Sequence, residues 1–192
     1  MYTATDIKKE FTKISSILLL TGLSYSQELG DINFGDNFSL DIATWNIEWF
    51  PKNGQTTSNH VSDIIRNLDL DIIAIQEVDD TVMFDLMVDD LQDYSGYYES
   101  AWFAGLAYIY KTGSIEINDI YEIYTTSPYW SAFPRSPMVM DINFMGDNYF
   151  LINSYLSKEL LKSKTSSIFI LVDSNTNKFC LSNLISKTKI KD

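Results

Sequence analysis

Two residues set the chemistry this chain could perform. Asn46 lies near the end of Phe38–Pro51, and Glu77 lies at the end of Asp71–Val78. An amide oxygen beside a carboxylate is a hard, all-oxygen donor set, suited to magnesium or manganese rather than to a soft metal. Taken alone, Glu77 reads equally well as the start of a loop or the cap of the next helix. A third polar residue, Arg135, stands in a loop between Phe133-Pro134 and Ser136-Pro137. Its guanidinium suits either bidentate contact with a phosphate or an ion pair with one of the many acids.

These residues need elements to position them. Asp71-Ile72-Ile73-Ala74-Ile75 is an apolar run without alternation, which predicts a strand buried on both faces. An acid at the end of such a strand is costly unless a cation meets it. In open α/β sheets the carboxyl ends of strands are where ligands sit. Phe38–Pro51 is the second strand of this kind, closed by its proline. Between the two, residues 51–57 form a loop. Val61, Ile64, Ile65 and Leu68 then fall at helical spacing, with Ser58 or Asn59 as cap. Two strands joined by a helix bring Asn46 and Glu77 to one rim. Beyond Glu77, Asp80-Thr81 caps a helix carrying Val82, Met83, Leu86, Met87 and Leu91. The acids from Asp79 to Asp93 read as its solvated outer face. Strands follow at 97–100, 106–111, 115–124, 138–144 and 149–153, with Met145-Gly146-Asp147-Asn148 as a hairpin turn.

Ala43-Thr44-Trp45-Asn46-Ile47, followed by Asp71-Ile72-Ile73-Ala74-Ile75-Gln76-Glu77-Val78, resembles the opening of the endonuclease/exonuclease/phosphatase family, the deoxyribonuclease-I-like fold. Gly105–Lys111 and Phe133–Pro137 resemble the family's next strands, so the resemblance runs from about Leu40 to Asn153. It implies an α/β chain: the first half of a four-layer α/β sandwich, a mixed sheet with helices on one face, with the second half missing and one apolar face left bare. It also implies hydrolysis of a phosphoester with Mg2+ (or Mn2+) held by Glu77, Asn46 as a catalytic residue beside the metal, and Arg135 near the substrate phosphate. Nucleic acids, phosphoinositides, sphingolipids and small phosphoesters are all processed on this fold, so the substrate class stays open.

The chain departs from that pattern at Asn153-Ser154-Tyr155, where the family has Asn-x-His. A phenol, ionising near pH 10, does not replace an imidazole as a proton carrier near neutrality. Gly146-Asp147-Asn148 echoes a family Gly-Asp-x-Asn motif, but its place between two short strands makes it a turn. The family's later Asp/Asn and Asp-His pairs have no counterpart. The expectation is therefore a phosphoester hydrolase that keeps its metal side, lacks its proton-transfer side and is inactive as this chain. The alternative is a non-catalytic secreted binding or interaction protein, acting through the aromatic-rich segment from Tyr94 to Trp130.

Bulk properties narrow the field further. A net charge of −12 argues against general, backbone-driven nucleic-acid binding, which needs lysine and arginine to displace counterions, but leaves room for a nuclease whose cleft is neutralised by metal. One cysteine, Cys180, excludes an internal disulfide and a cysteine-based zinc cage. The single histidine, His60, reads as a solvated residue at a helix start. Lys8, Lys9 and Lys13 before the apolar run 14–23 predict an export signal over residues 1–26, too short to span a membrane, and hence a secreted or periplasmic protein. A linker over 27–37 and the domain over 38–154 follow. Residues 1–154 hold seven Lys and Arg against 23 Asp and Glu, whereas 155–192 hold seven against three. That reversal, with the loss of the motif at the same point, predicts a divergent tail of the kind a slipped reading frame produces.

Overall fold

The computed structural model describes residues 33–98, 104–129 and 132–155 with their side chains, and the backbone of 167–173 and 178–182. The export segment, the linker as far as residue 32, and most of the tail lie outside the described residues. In chain order the elements are β1 (Ile42–Phe50), α1 (Gln55–Leu68), β2 (Ile72–Val78), α2 (Thr81–Asp89), β3 (Tyr94–Tyr98), β4 (Gly105–Lys111), β5 (Glu116–Glu122), β6 (Arg135–Phe144), β7 (Asp147–Tyr155), β8 (Ser167–Asp173) and β9 (Lys178–Ser182). The first sheet has the order β1-β2-β4-β3, with β1 and β2 parallel and the other pairs antiparallel. The second is a run of sequential antiparallel strands, β5 to β9.

All of β2 is buried, as its unbroken apolar run predicts. Because side chains alternate along a strand, β2 supplies two cores at once. Ile73 and Ile75 pack with Val61 and Ile65 of α1 and with Phe84, Met87 and Val88 of α2. Ile72 and Ala74 pack with Leu106, Tyr108, Met138, Met140 and Leu151. The mixed sheet with helices on one face is therefore present, but its other face is not bare. β6 and β7 cover it, which corrects the expected exposed apolar surface. The reason is pairing: the strands after residue 115 bond to one another and build a sheet of their own. Part of the 155–192 tail joins it, since β8 lies antiparallel to β7 from Tyr149 to Tyr155 and β9 returns with Lys178 opposite Asp173.

Three local expectations change. α1 starts at Gln55 behind Gly54, with no side-chain cap, so Ser58 is buried inside the helix and His60 stands exposed one turn in. α2 is capped by Asp80, whose carboxylate accepts from the Met83 N–H at 2.9 Å. However, it buries Phe84, Met87 and Val88, leaving Val82 and Leu86 68% and 61% exposed. Arg135 is the first residue of β6 rather than part of a loop. The β6–β7 hairpin is the tight turn expected, with positive φ at both Met145 (53°) and Gly146 (94°), as a two-residue loop of type I′ requires.

Candidate functional site

β1 and β2 run in register as far as Asn46 opposite Gln76, and there the register shifts. The shift coincides with left-handed backbone at Glu48 (φ 48°), Trp49 (φ 58°) and Glu77 (φ 67°). Non-glycine residues seldom adopt that conformation, and such irregularities re-aim side chains at sheet rims. Here they accompany the pairing of Asn46 with Glu77. Asn46 Nδ2 donates to Glu77 Oε1 at 2.9 Å, and Glu77 is only 9% exposed. The other end of the amide is fixed too, because Asn46 Oδ1 accepts the Glu48 N–H at 2.9 Å. With its acceptor tied to the main chain, the amide must turn its donor toward the carboxylate. Asn46 thus orients Glu77, and its oxygen would reach a cation only through its second lone pair.

Directly before Glu77, the fully buried Gln76 extends toward the second sheet. Its Nε2 lies 2.7 Å from Asn153 Oδ1, 2.8 Å from Thr44 Oγ1 and 3.1 Å from Ala74 O. Asn153 Nδ2 returns bonds to Ile75 O at 2.8 Å and Ala107 O at 3.1 Å. This amide pair ties β7 to the end of β2 beside the candidate site. Sequence reading passed over it. The available signal was a neutral amide inside an apolar run, which needs a partner when buried.

Arg135 reaches the same rim. Its Nε donates to Ala104 O at 2.9 Å, and the next residue, Gly105, pairs with Val78, the neighbour of Glu77. The guanidinium also lies 4.6 Å from the ring centroid of Tyr155, the residue that stands where the resemblance calls for histidine. Asp71 belongs to the opposite end of β2. There it borders a concavity of about 310 Å³ shared with Asp36, Asn37, Lys111, Ser114 and Phe144. Both its oxygens are engaged, by the Asp41 N–H at 2.9 Å and Ser114 Oγ at 2.8 Å, so it braces the fold. Among the described residues no group of three or more His, Cys, Asp and Glu could enclose a metal.

The model of the Endonuclease/Exonuclease/phosphatase family matches residues 43–146. Among solved structures, D. rerio TDP2 complexed with single strand DNA product is similar at a TM-score of 0.50 and 15% identity, over 62% of this chain and 46% of that one. Truncated Caenorhabditis elegans TDP2 is similar at 0.50 and 23%, over 62% and 47%. The human Nocturnin catalytic domain with bound sulfate anion gives 0.40 and 15%, over 82% and 54%. The chain therefore spans about half the length of these structures. The TDP2 likeness shows a deoxyribonuclease-I-like fold. No curated protein matches the sequence.

Proposed function

We propose, because this chain belongs to the endonuclease/exonuclease/phosphatase family, that the rim holding Asn46 and Glu77 is the metal-holding side of a phosphoester-hydrolysing centre. The family is of phosphoesterase or nuclease type and is generally divalent-metal dependent. The observation that carries the reading is the buried Glu77 carboxylate held by Asn46 at 2.9 Å. One carboxylate oxygen is engaged, and a carboxylate has about four lone-pair sites, so acceptor capacity remains. Mg2+ keeps several waters and is often bound through one or two carboxylates completed by substrate phosphates. A single glutamate fits that demand. Mg2+ or Mn2+ bound by Glu77 would polarise a phosphoryl oxygen. Arg135 puts a permanent positive charge on the same rim, suited to the substrate phosphate.

Tyr155 favours a second reading, in which the chain binds without turnover: a phenol stacked under Arg135 stands where the family's histidine would carry a proton. A magnesium titration followed by thermal unfolding, run on the wild type and Glu77→Gln, tests the metal reading. The wild type should gain stability, by about 2.7 kcal/mol at a hundredfold excess over Kd, and the variant should not. Indifference of the wild type to magnesium would overturn it. Parallel assays with bis(p-nitrophenyl) phosphate decide turnover: hydrolysis that needs both magnesium and Glu77 would rule out the binding-only reading.

A further inference from the structure

α2 carries apolar residues on the side it turns to solvent as well as on the side it buries. Phe84, Met87 and Val88 are buried, whereas Val82 and Leu86, one turn apart, remain 68% and 61% exposed. Asp85 and Asp89 are exposed with them. Positions 82, 85, 86 and 89 lie on one side of a helix, so apolar and acidic residues alternate along a single outer face. Lone surface hydrophobes are ordinary, but two on successive turns of one face make a contiguous strip.

The acids around this strip do not all serve the fold. Asp79, Asp80, Asp85, Asp89, Asp90 and Asp93 are exposed. Asp80 caps the helix. Asp89 and Asp90, however, stand at its negative end, where carboxylates are unfavourable, and no basic residue lies in the last turn. Arg66, the one basic residue between Lys52 and Lys111, is bound to Asp63 and Asp90. Among the described residues, Asp85 and Asp89 are therefore left without a cation.

We infer that the outer face of α2 is a docking surface for a basic amphipathic helix of another protein. The partner's aliphatic stripe covers Val82 and Leu86, and lysines or arginines at its edge meet Asp85 and Asp89. Charge complementarity selects this occupant. The surrounding acids repel nucleic acid and anionic bilayers. A second copy of the chain would bring the same acids against one another across a two-fold axis. A helix satisfies its own main-chain groups, so it can lie on another helix with no strand edge to pair with. The surface uses neither Glu77 nor Arg135 and is independent of the metal reading.

The test is fluorescence anisotropy of the full chain with a labelled helical peptide of about 18 leucines and lysines, or five turns, with the leucines on one face. The wild type should bind it, and less tightly at high salt. Val82→Ser with Leu86→Ser should weaken binding about tenfold or more, the factor that burial of one aliphatic side chain supplies. Asp85→Asn with Asp89→Asn should weaken it about threefold at low salt. Removing the same charge from β5, with Glu116→Gln and Asp119→Asn, should leave it unchanged. Asp89→Asn alone should raise the urea midpoint of the free chain, because a carboxylate leaves the negative end of the helix. A lowered midpoint would mean that the acid serves the fold and would overturn the inference. So would failure of the wild type to bind, binding that survives Val82→Ser with Leu86→Ser, or equal binding of a leucine–glutamate peptide. Equal losses in the α2 and β5 charge variants would reduce the effect to net charge and overturn it too. Sedimentation of the chain alone completes the test: a dimer abolished by Val82→Ser with Leu86→Ser would give the face to a second copy instead.

Discussion

Asn153 is the residue on which the contact between the sheets turns. It is fully buried and accepts from Gln76 Nε2 while donating to Ile75 O and Ala107 O. Asn153→Ala would strip these partners and leave a polar gap. At about 1–3 kcal/mol for each buried group left unsatisfied, a loss of about 3 kcal/mol is expected in urea unfolding. Asn153→Asp separates hydrogen bonding from volume. An aspartate can still accept from Gln76, but its second oxygen faces two carbonyls, and a buried unpaired charge is worse than a gap. At pH 8 the Asp variant should be the less stable of the two. At pH 5 the difference should narrow as protonation restores a donor. Equal stability of both variants with the wild type would mean that the amide pair holds nothing. The amide inside the apolar run of β2 was a legible signal, but its partner was not, because Gln76 and Asn153 are 77 residues apart. Asn46 and Glu77 were legible because each is a polar group toward the end of a recognisable run of strand residues, and two such strands joined by a helix implied a common rim.

At the scale of elements, β2 and α2 show where pattern suffices and where it fails. A fully buried strand leaves one reading open, since seven consecutive buried positions admit no polar face. α2 is different: Val82, Met83, Phe84, Leu86, Met87 and Val88 surround the helix, so the sequence marks no stripe. The choice of face is made by β3, through Gly96. A Cβ there would lie 2.9 Å from Val88 Cγ2 and 3.1 Å from Phe84 Cε1, so the glycine is what lets the helix seat this side against the sheet. Gly96→Ala should therefore cost about 1–3 kcal/mol by overpacking, because a valine methyl cannot swing away as a long side chain could. Pairing it with Val88→Ala should return part of that loss, and a double-mutant cycle in urea measures the coupling. Strict additivity of the two changes would show that they do not share this contact. The same limit explains the second sheet. The strands between residues 115 and 153 were legible one by one, whereas β8 and β9 lie in what read as a divergent tail, and which strands pair was decided by ladders, not by composition.

For the whole molecule, the layered build has a consequence at high pH. Tyr108 of β4 crosses the core between the sheets, its hydroxyl 3.0 Å from Met138 O and 3.1 Å from Leu151 O. Burial pushes this phenol well above its ordinary range. Tyr94 is pushed up as well, by burial and then by Asp69, Asp71 and Asp93, and Tyr98 by burial and then by Asp79 and Glu122. A phenol raised in the folded state contributes stability that is whole below the unfolded value, near pH 10, and is lost as pH rises further. The unfolded chain then releases protons that the folded one retains, at about 1.4 kcal/mol per phenol per pH unit. Stability should accordingly hold between pH 7 and 9 and fall steeply between 10 and 11. Tyr108→Phe isolates one share of that slope. At pH 8 it should be less stable than the wild type by about 1 kcal/mol, through the lost hydroxyl bond between the sheets. Above pH 10 it has no proton to lose, so its curve should fall less steeply and meet that of the wild type near pH 11. Urea midpoints at half-unit steps from pH 8 to 11 would show the crossing. A gap between the two proteins that stays constant over that range would mean that the Tyr108 phenol ionises as readily inside the fold as outside it, and that water reaches the space between the sheets.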